Sequence, residues 1–81
     1  MTITVKCFAA LREQVDTDSC VVMLTPGATA ADVRTALLMR YPGLQAWMPY
    51  VRVALNQDYH SWDTPLRDGD ELALIPPVSG G

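Results

Sequence analysis

One histidine, one lysine and two cysteines are all that this 81-residue sequence holds of three residue types that often carry chemistry. Cys7 and Cys20 form no Cys-x-x-Cys pair, and His60 has no second ligand type at metal spacing, so no zinc site can be assembled. His60 is expected at the surface or a rim, because it sits in a polar stretch. The cysteines fall in separate apolar runs and are expected to be buried small hydrophobes, with a cross-strand disulfide as the alternative. Lys6 and five scattered arginines, within a net charge of -3, give no basic footprint for nucleic acid. No apolar run reaches the ~20 residues of a membrane span, and the chain opens on the strand-like ITVKC. Neither a signal peptide nor a membrane anchor is expected, and the cytoplasm is the expected compartment. Repeats, low-complexity tracts and linkers are also missing, which leaves one small domain with a single modest core.

The acids, by contrast, cluster: Asp63, Asp68, Asp70 and Glu71 fall close together, and Asp16 and Asp18 share an earlier turn. They suit either solvated turn chemistry or a docking edge for a basic partner.

Periodicity supplies the elements. Residues 2 to 8, TITVKCF, alternate with Ile3, Val5 and Cys7 on one face, the pattern of a half-buried strand, and leave Phe8 out of phase. Residues 9 to 15 offer about two helical turns, and the apolar run at 20 to 24 has strand length. Thr29 and Asp32 resemble a capping box, so a helix is expected from Ala30. Val33, Leu37 and Tyr41, flanked by Ala30 and Ala36, form its apolar stripe, and Pro42-Gly43 ends it. Trp47, Met48 and Tyr50 follow in an irregular stretch read as a lid over the core, an aromatic cofactor box being the other possibility. Residues 51 to 55 alternate again, Asn56-Gln57-Asp58 reads as a hairpin turn, and 59 to 62 as a strand. Gly69 supplies a left-handed turn position before a last strand at 71 to 75.

Two hairpin-like halves around one amphipathic helix make an α+β domain. A mixed sheet of about five strands wraps the main helix, in the β-grasp or ubiquitin-like arrangement. The domain spans 1–76. Ile3, Val5, Val33, Leu37, Val53, Leu55, Leu72 and Leu74 are expected to converge in its core. Phe8, Ala73 and Ile75 are apolar but out of phase, so they are expected to form an exposed patch on the outer sheet face, or else a minor core under a loop.

Pro76 and Pro77 cannot donate ladder hydrogen bonds and end the sheet, releasing a flexible, extended tail at 77–81. From Pro76, an extended chain reaches roughly 20 Å, enough to enter a partner's pocket. Gly80 and Gly81 could be no more than a frayed terminus. They also suit a tail that is threaded into a confined site, because glycine has no side chain to obstruct close backbone approach.

FAALRE at 8 to 13, VALNQ at 53 to 57 and DTPLRDGDELALIPPVSGG at 63 to 81 resemble the family of molybdopterin synthase small subunits, which are ubiquitin-like sulfur carriers. The likeness runs the whole chain. It implies that Gly81 is adenylated by an enzyme similar to ubiquitin-activating enzymes, which consumes ATP. A sulfur donor protein then supplies sulfur for a C-terminal thiocarboxylate. Pro77, Val78, Ser79 and Gly80 would thread the tail into the partner. The large synthase subunit would use the sulfur to build the dithiolene of molybdopterin from a cyclic pyranopterin, in a heterotetramer with two carriers at opposite ends of a large-subunit dimer. Positions matching Phe8, Arg12, Tyr59 and Ile75, with Ala73 beside them, would lie at or near the contact. The chain itself would bind no cofactor or metal and would not be an enzyme alone. A thiamine-pathway or cysteine-forming carrier of the same fold remains an alternative, as does a non-covalent interaction module with an idle tail.

Overall fold

The alternation of TITVKC and ELALI becomes the two central strands of one sheet. The structure, a computed structural model, describes residues 1–8, 10–15 and 17–77. Its elements are β1 (Thr2–Cys7), α1 (Ala10–Val15), β2 (Ser19–Met23), α2 (Ala30–Arg40), two 3-10 helices (Pro42–Ala46 and Met48–Tyr50), β3 (Arg52–Leu55), β4 (Asp58–His60) and β5 (Glu71–Ile75). The sheet order is β2-β1-β5-β3-β4, with β1 parallel to β5 and every other pair antiparallel. This is the β-grasp architecture: a five-stranded mixed sheet with one main helix.

Because strand side chains alternate between faces, the register sorts them without ambiguity. Val5 stands opposite Leu72, and Leu74 lies between Cys7 and Val53. These residues join Ile3 and the Ala30, Val33 and Leu37 stripe of α2 in one buried cluster. Each fully buried leucine or valine contributes about 1.5 to 3 kcal/mol relative to exposure. Leu55 departs from the expected set. It is only half-buried, because it ends β3 beside the β4 turn and packs against the margin of the cluster. Leu11, Val15, Val22, Leu44, Met48, Val51 and Leu66 complete the core. Leu44 and Met48 come from the 3-10 helices, so the stretch after α2 does cover the core, although Tyr50 projects into solvent.

α2 begins at Ala30 because its first donors are satisfied. The Asp32 carboxylate accepts from the Thr29 N–H at 2.8 Å. Thr64 and Trp62 offer their carbonyls to the N–H groups of Ala30 and Ala31 at 3.0 and 2.9 Å. That capping also corrects the extent of β4. The strand stops at His60 rather than running to Trp62, since residues 61–64 turn away to cover the start of α2. The Trp62 ring carries the Arg34 guanidinium 4.7 Å from its centroid. β2 is shifted one residue earlier than its apolar run, to Ser19–Met23, where Ser19 pairs with Lys6.

The turns are built as their residues allow. Asn56 and Gln57 take φ of 50° and 78°, the left-handed pair that a two-residue hairpin requires. Gly69, at φ 88°, lets its N–H reach the Thr2 carbonyl at 2.9 Å. Two of the nearby acids serve this turn. Asp68 accepts from the Thr2 N–H at 2.6 Å, and Asp70 accepts from the Arg67 N–H at 2.7 Å and the Asn56 amide at 3.2 Å. Glu71 pairs with Lys6 at 3.5 Å.

Cys7 is buried, whereas Cys20 is only half-buried because β2 is an edge strand; both thiols are free. Burial, and secondarily Cys20, pushes the Cys7 thiol up to about 11. Burial also raises Cys20, with Arg40 opposing it. His60 is exposed. Among the described residues no helix is long and apolar enough to cross a membrane.

Candidate functional site

The outer face of the sheet is the mirror of the core register. Across it run Lys6, Ala73, Ala54 and Tyr59, one residue from each of β1, β5, β3 and β4. One step toward the C-terminal end of β5, Ile75 stands opposite Arg52. The two alanines leave the centre of the row low, while Phe8, Tyr59 and Ile75 rise around it. The result is a shallow hollow of about 370 Å³. Phe8 is 47% exposed and Tyr59 66% exposed, an unusual placement for large aromatic side chains on a face with an apolar floor. Lys6 and Glu71 close one side with their ion pair, each about four-tenths exposed.

Phe8, Ala73 and Ile75, expected in one patch, do line one hollow, and Tyr59, which the resemblance puts at the partner contact, lines it with them. Arg12 does not enter it. It extends from α1 into a neighbouring depression of about 360 Å³ on the other side of Phe8, shared with Asp18 and Ser19. Pro77 stands with Pro76 in a third hollow, of about 330 Å³, whose walls include Tyr50, Arg52, Tyr59 and Ile75. Tyr59 and Ile75 therefore belong to both the apolar hollow and the base of the tail. Val78, Ser79, Gly80 and Gly81 lie outside the described residues.

Ala54, Arg52 and Tyr50 were missed as site residues. The first two were legible in principle, since the alternation in VRVAL puts Arg52 and Ala54 on the face opposite Val53. Tyr50 had no such signal, because it sits in a 3-10 turn without a strand period.

Among the described residues, no group of three or more His, Cys, Asp or Glu side chains is placed to hold a metal ion. A face with an apolar floor, aromatic rims and a flanking ion pair is suited to docking a protein surface. The chain leaves the sheet from the edge of that face.

Known proteins share this architecture along the full chain. The family model described as the ThiS family matches residues 5–81. A molybdopterin synthase sulfur carrier subunit of Chlamydomonas reinhardtii is 37% identical, with 100% of both chains covered. The crystal structure of SAMP1 from Haloferax volcanii superposes with a TM-score of 0.90 at 30% identity, again over 100% of both chains. A chain in the complex of subunits 1 and 2 of the molybdopterin-converting factor from Helicobacter pylori gives a TM-score of 0.72 at 29% identity, covering 100% of each. With a family match that leaves out only the first four residues and relatives aligned from end to end, the chain belongs to the ThiS family.

Proposed function

We propose that this protein is the sulfur-carrier subunit of a molybdopterin synthase, acting in the cytoplasm, with the Gly81 carboxylate as the sulfur-bearing group. The observation that carries the reading is the continuity of the docking hollow with the tail base through Tyr59 and Ile75. A partner seated on the outer face necessarily sits where the tail departs. The Helicobacter pylori complex, which pairs a similar chain with a second subunit, supports a large subunit as that partner. In this reading Phe8, Tyr59, Ala73 and Ile75 dock, Arg12 contacts the partner beside Phe8, and Pro77, Val78, Ser79 and Gly80 thread the tail. Two carriers flank a large-subunit dimer.

The chemistry follows from the weakness of a carboxylate as an electrophile. A Gly81 oxygen attacks the α-phosphorus of ATP on an activating enzyme, pyrophosphate leaves, and an acyl-adenylate forms. A persulfide on a donor protein attacks the carbonyl and AMP departs, leaving an acyl disulfide. A second thiol then attacks the donor's own sulfur, the S–S bond breaks, a disulfide forms on the donor and the terminus is left as a thiocarboxylate. On the large subunit the thiocarboxylate sulfur forms a bond to a pterin carbon, and water cleaves the resulting thioester, leaving the sulfur on the pterin and returning the Gly81 carboxylate. Pro76 and Pro77 reduce the freedom of the tail base, lowering the ordering cost of insertion.

Intact mass measurement after incubation with the activating enzyme, ATP and a sulfur donor tests the reading. The expected result is replacement of one oxygen by sulfur at the C-terminus. An unmodified mass, under conditions where the enzyme loads its own carrier, would sink the proposal and leave a non-covalent docking module.

A further inference from the structure

Not all of the exposed apolar side chains serve the outer hollow. Val21, Met23 and Met39 are 50%, 78% and 81% exposed, and they lie along β2 and the end of α2. β2 is the outermost strand on its side of the sheet. The Leu24 N–H donates to Met1 and the Cys7 N–H to Asp18. Antiparallel alternation therefore makes Val22 and Cys20 the residues that exchange hydrogen bonds with β1. The backbone groups of Ser19, Val21 and Met23 point outward, to the free edge. Two side chains guard part of it. The Thr17 hydroxyl donates to the Ser19 carbonyl at 2.9 Å, and Arg40 Nη1 donates to the Val21 carbonyl at 3.1 Å. Between β2 and α2 lies a groove of about 380 Å³, lined by Val21, Val22, Met23, Ala36 and Arg40.

We propose that this edge is a second docking site, which takes an extended segment of a partner protein as an added antiparallel strand with an acidic side chain of that segment on Arg40. Outward donors and acceptors at every second residue match the repeat of an extended backbone and no other peptide conformation. Val21 and Met23 offer apolar contacts to alternate side chains of the added strand. Charge selects the partner. Among the described residues Arg40 is the one charged group lining the groove, and it occupies the Val21 carbonyl that an added strand needs. A carboxylate on the incoming segment gives the guanidinium a stronger acceptor and frees that carbonyl. A second copy of this chain does not meet the requirement, because pairing β2 with itself about Val21 brings two Arg40 side chains together. β1 separates β2 from β5, so a strand added here lies beyond the Ala73 hollow and leaves it open. The inference does not depend on the sulfur-carrier reading.

The test is an amide-shift titration of the isotope-labelled full chain with a blocked peptide in which valine alternates with threonine around a central aspartate. The expected result is a shift and slowed exchange at the Val21 and Met23 amides, with roughly fivefold weaker binding of the asparagine counterpart. Val21→Pro should abolish binding with the fold retained, since its N–H faces away from β1 and an edge strand tolerates that loss. Arg40→Glu, at an exposed position, should remove the preference for aspartate and provides a check should the proline variant fail to fold. Shifts confined to the Phe8 and Ile75 face would overturn the proposal. So would equal affinity for the two peptides, or self-association of the free chain through β2.

Discussion

Ala54 lies directly opposite Ala73 across the ladder between β3 and β5, and this pair of small side chains floors the outer hollow. Larger residues at either position would level the face, so the hollow depends on two methyl groups meeting in register. Ala73→Tyr should fill it while keeping a residue that suits a strand. The expected outcome is about tenfold or weaker binding to the large subunit, with unchanged thermal unfolding. Full affinity would remove the hollow from the interface.

Ile75 provides an independent check at the point where hollow and tail base meet. It is half-buried and belongs to the outer face, so Ile75→Asp should leave the core intact. Calorimetric titration with the large subunit should show strongly weakened binding, because a carboxylate would be desolvated against an apolar contact.

For the tail, deletion of Gly81 or extension beyond it should abolish thiocarboxylate formation, with docking through the Phe8 and Ile75 face retained. Gly80→Ala should be intermediate, because its Cβ restricts the backbone in a confined site. Competition assays with loaded carrier would show the Gly81 deletion acting as an inhibitor. Normal molybdopterin synthesis by all three variants would reduce the tail to a frayed terminus.

Core packing makes a quantitative demand on α2. Leu37 is fully buried, so Leu37→Ala should cost about 2 to 5 kcal/mol in chemical denaturation. Gly69→Ala gives a contrasting case. Its added Cβ would meet no atom within 4 Å, but φ of 88° is strained for any L side chain. About 1 kcal/mol should be lost through the backbone alone.

The Cys7 thiol sets a pH dependence. Its folded value of about 11 lies above the ordinary 9.0, so the unfolded chain gives up this proton first as pH rises. Burial of the neutral thiol therefore contributes stability in full below about pH 9, and that contribution is lost as pH climbs through 11. Urea unfolding between pH 8 and 11 should show a steeper decline for the parent than for Cys7→Ala. Parallel curves would contradict the shift.

Strand and helix identities were legible wherever a period of two or of about 3.6 was clean, as in β1, β5 and α2, because those patterns are local steric and burial constraints. The same alternation that sent Leu72 and Leu74 inward sent Ala73 and Ile75 outward, so two residues of the outer hollow could be read from one strand. Met48 was read as part of a lid over the core, but Leu44 escaped and Tyr50 points outward instead, since a 3-10 turn imposes no such period and burial there depends on what lies beneath. The end of β4 escaped as well: the Trp62 carbonyl is drawn away to an N–H of α2, a partner 31 residues distant. Only the tertiary structure decided that β5 lies between β1 and β3, bringing Lys6, Ala73, Ala54 and Tyr59 into one row. Local sequence fixes which face a side chain takes; strand order, set by burying the inner face against α2, decides which side chains share it.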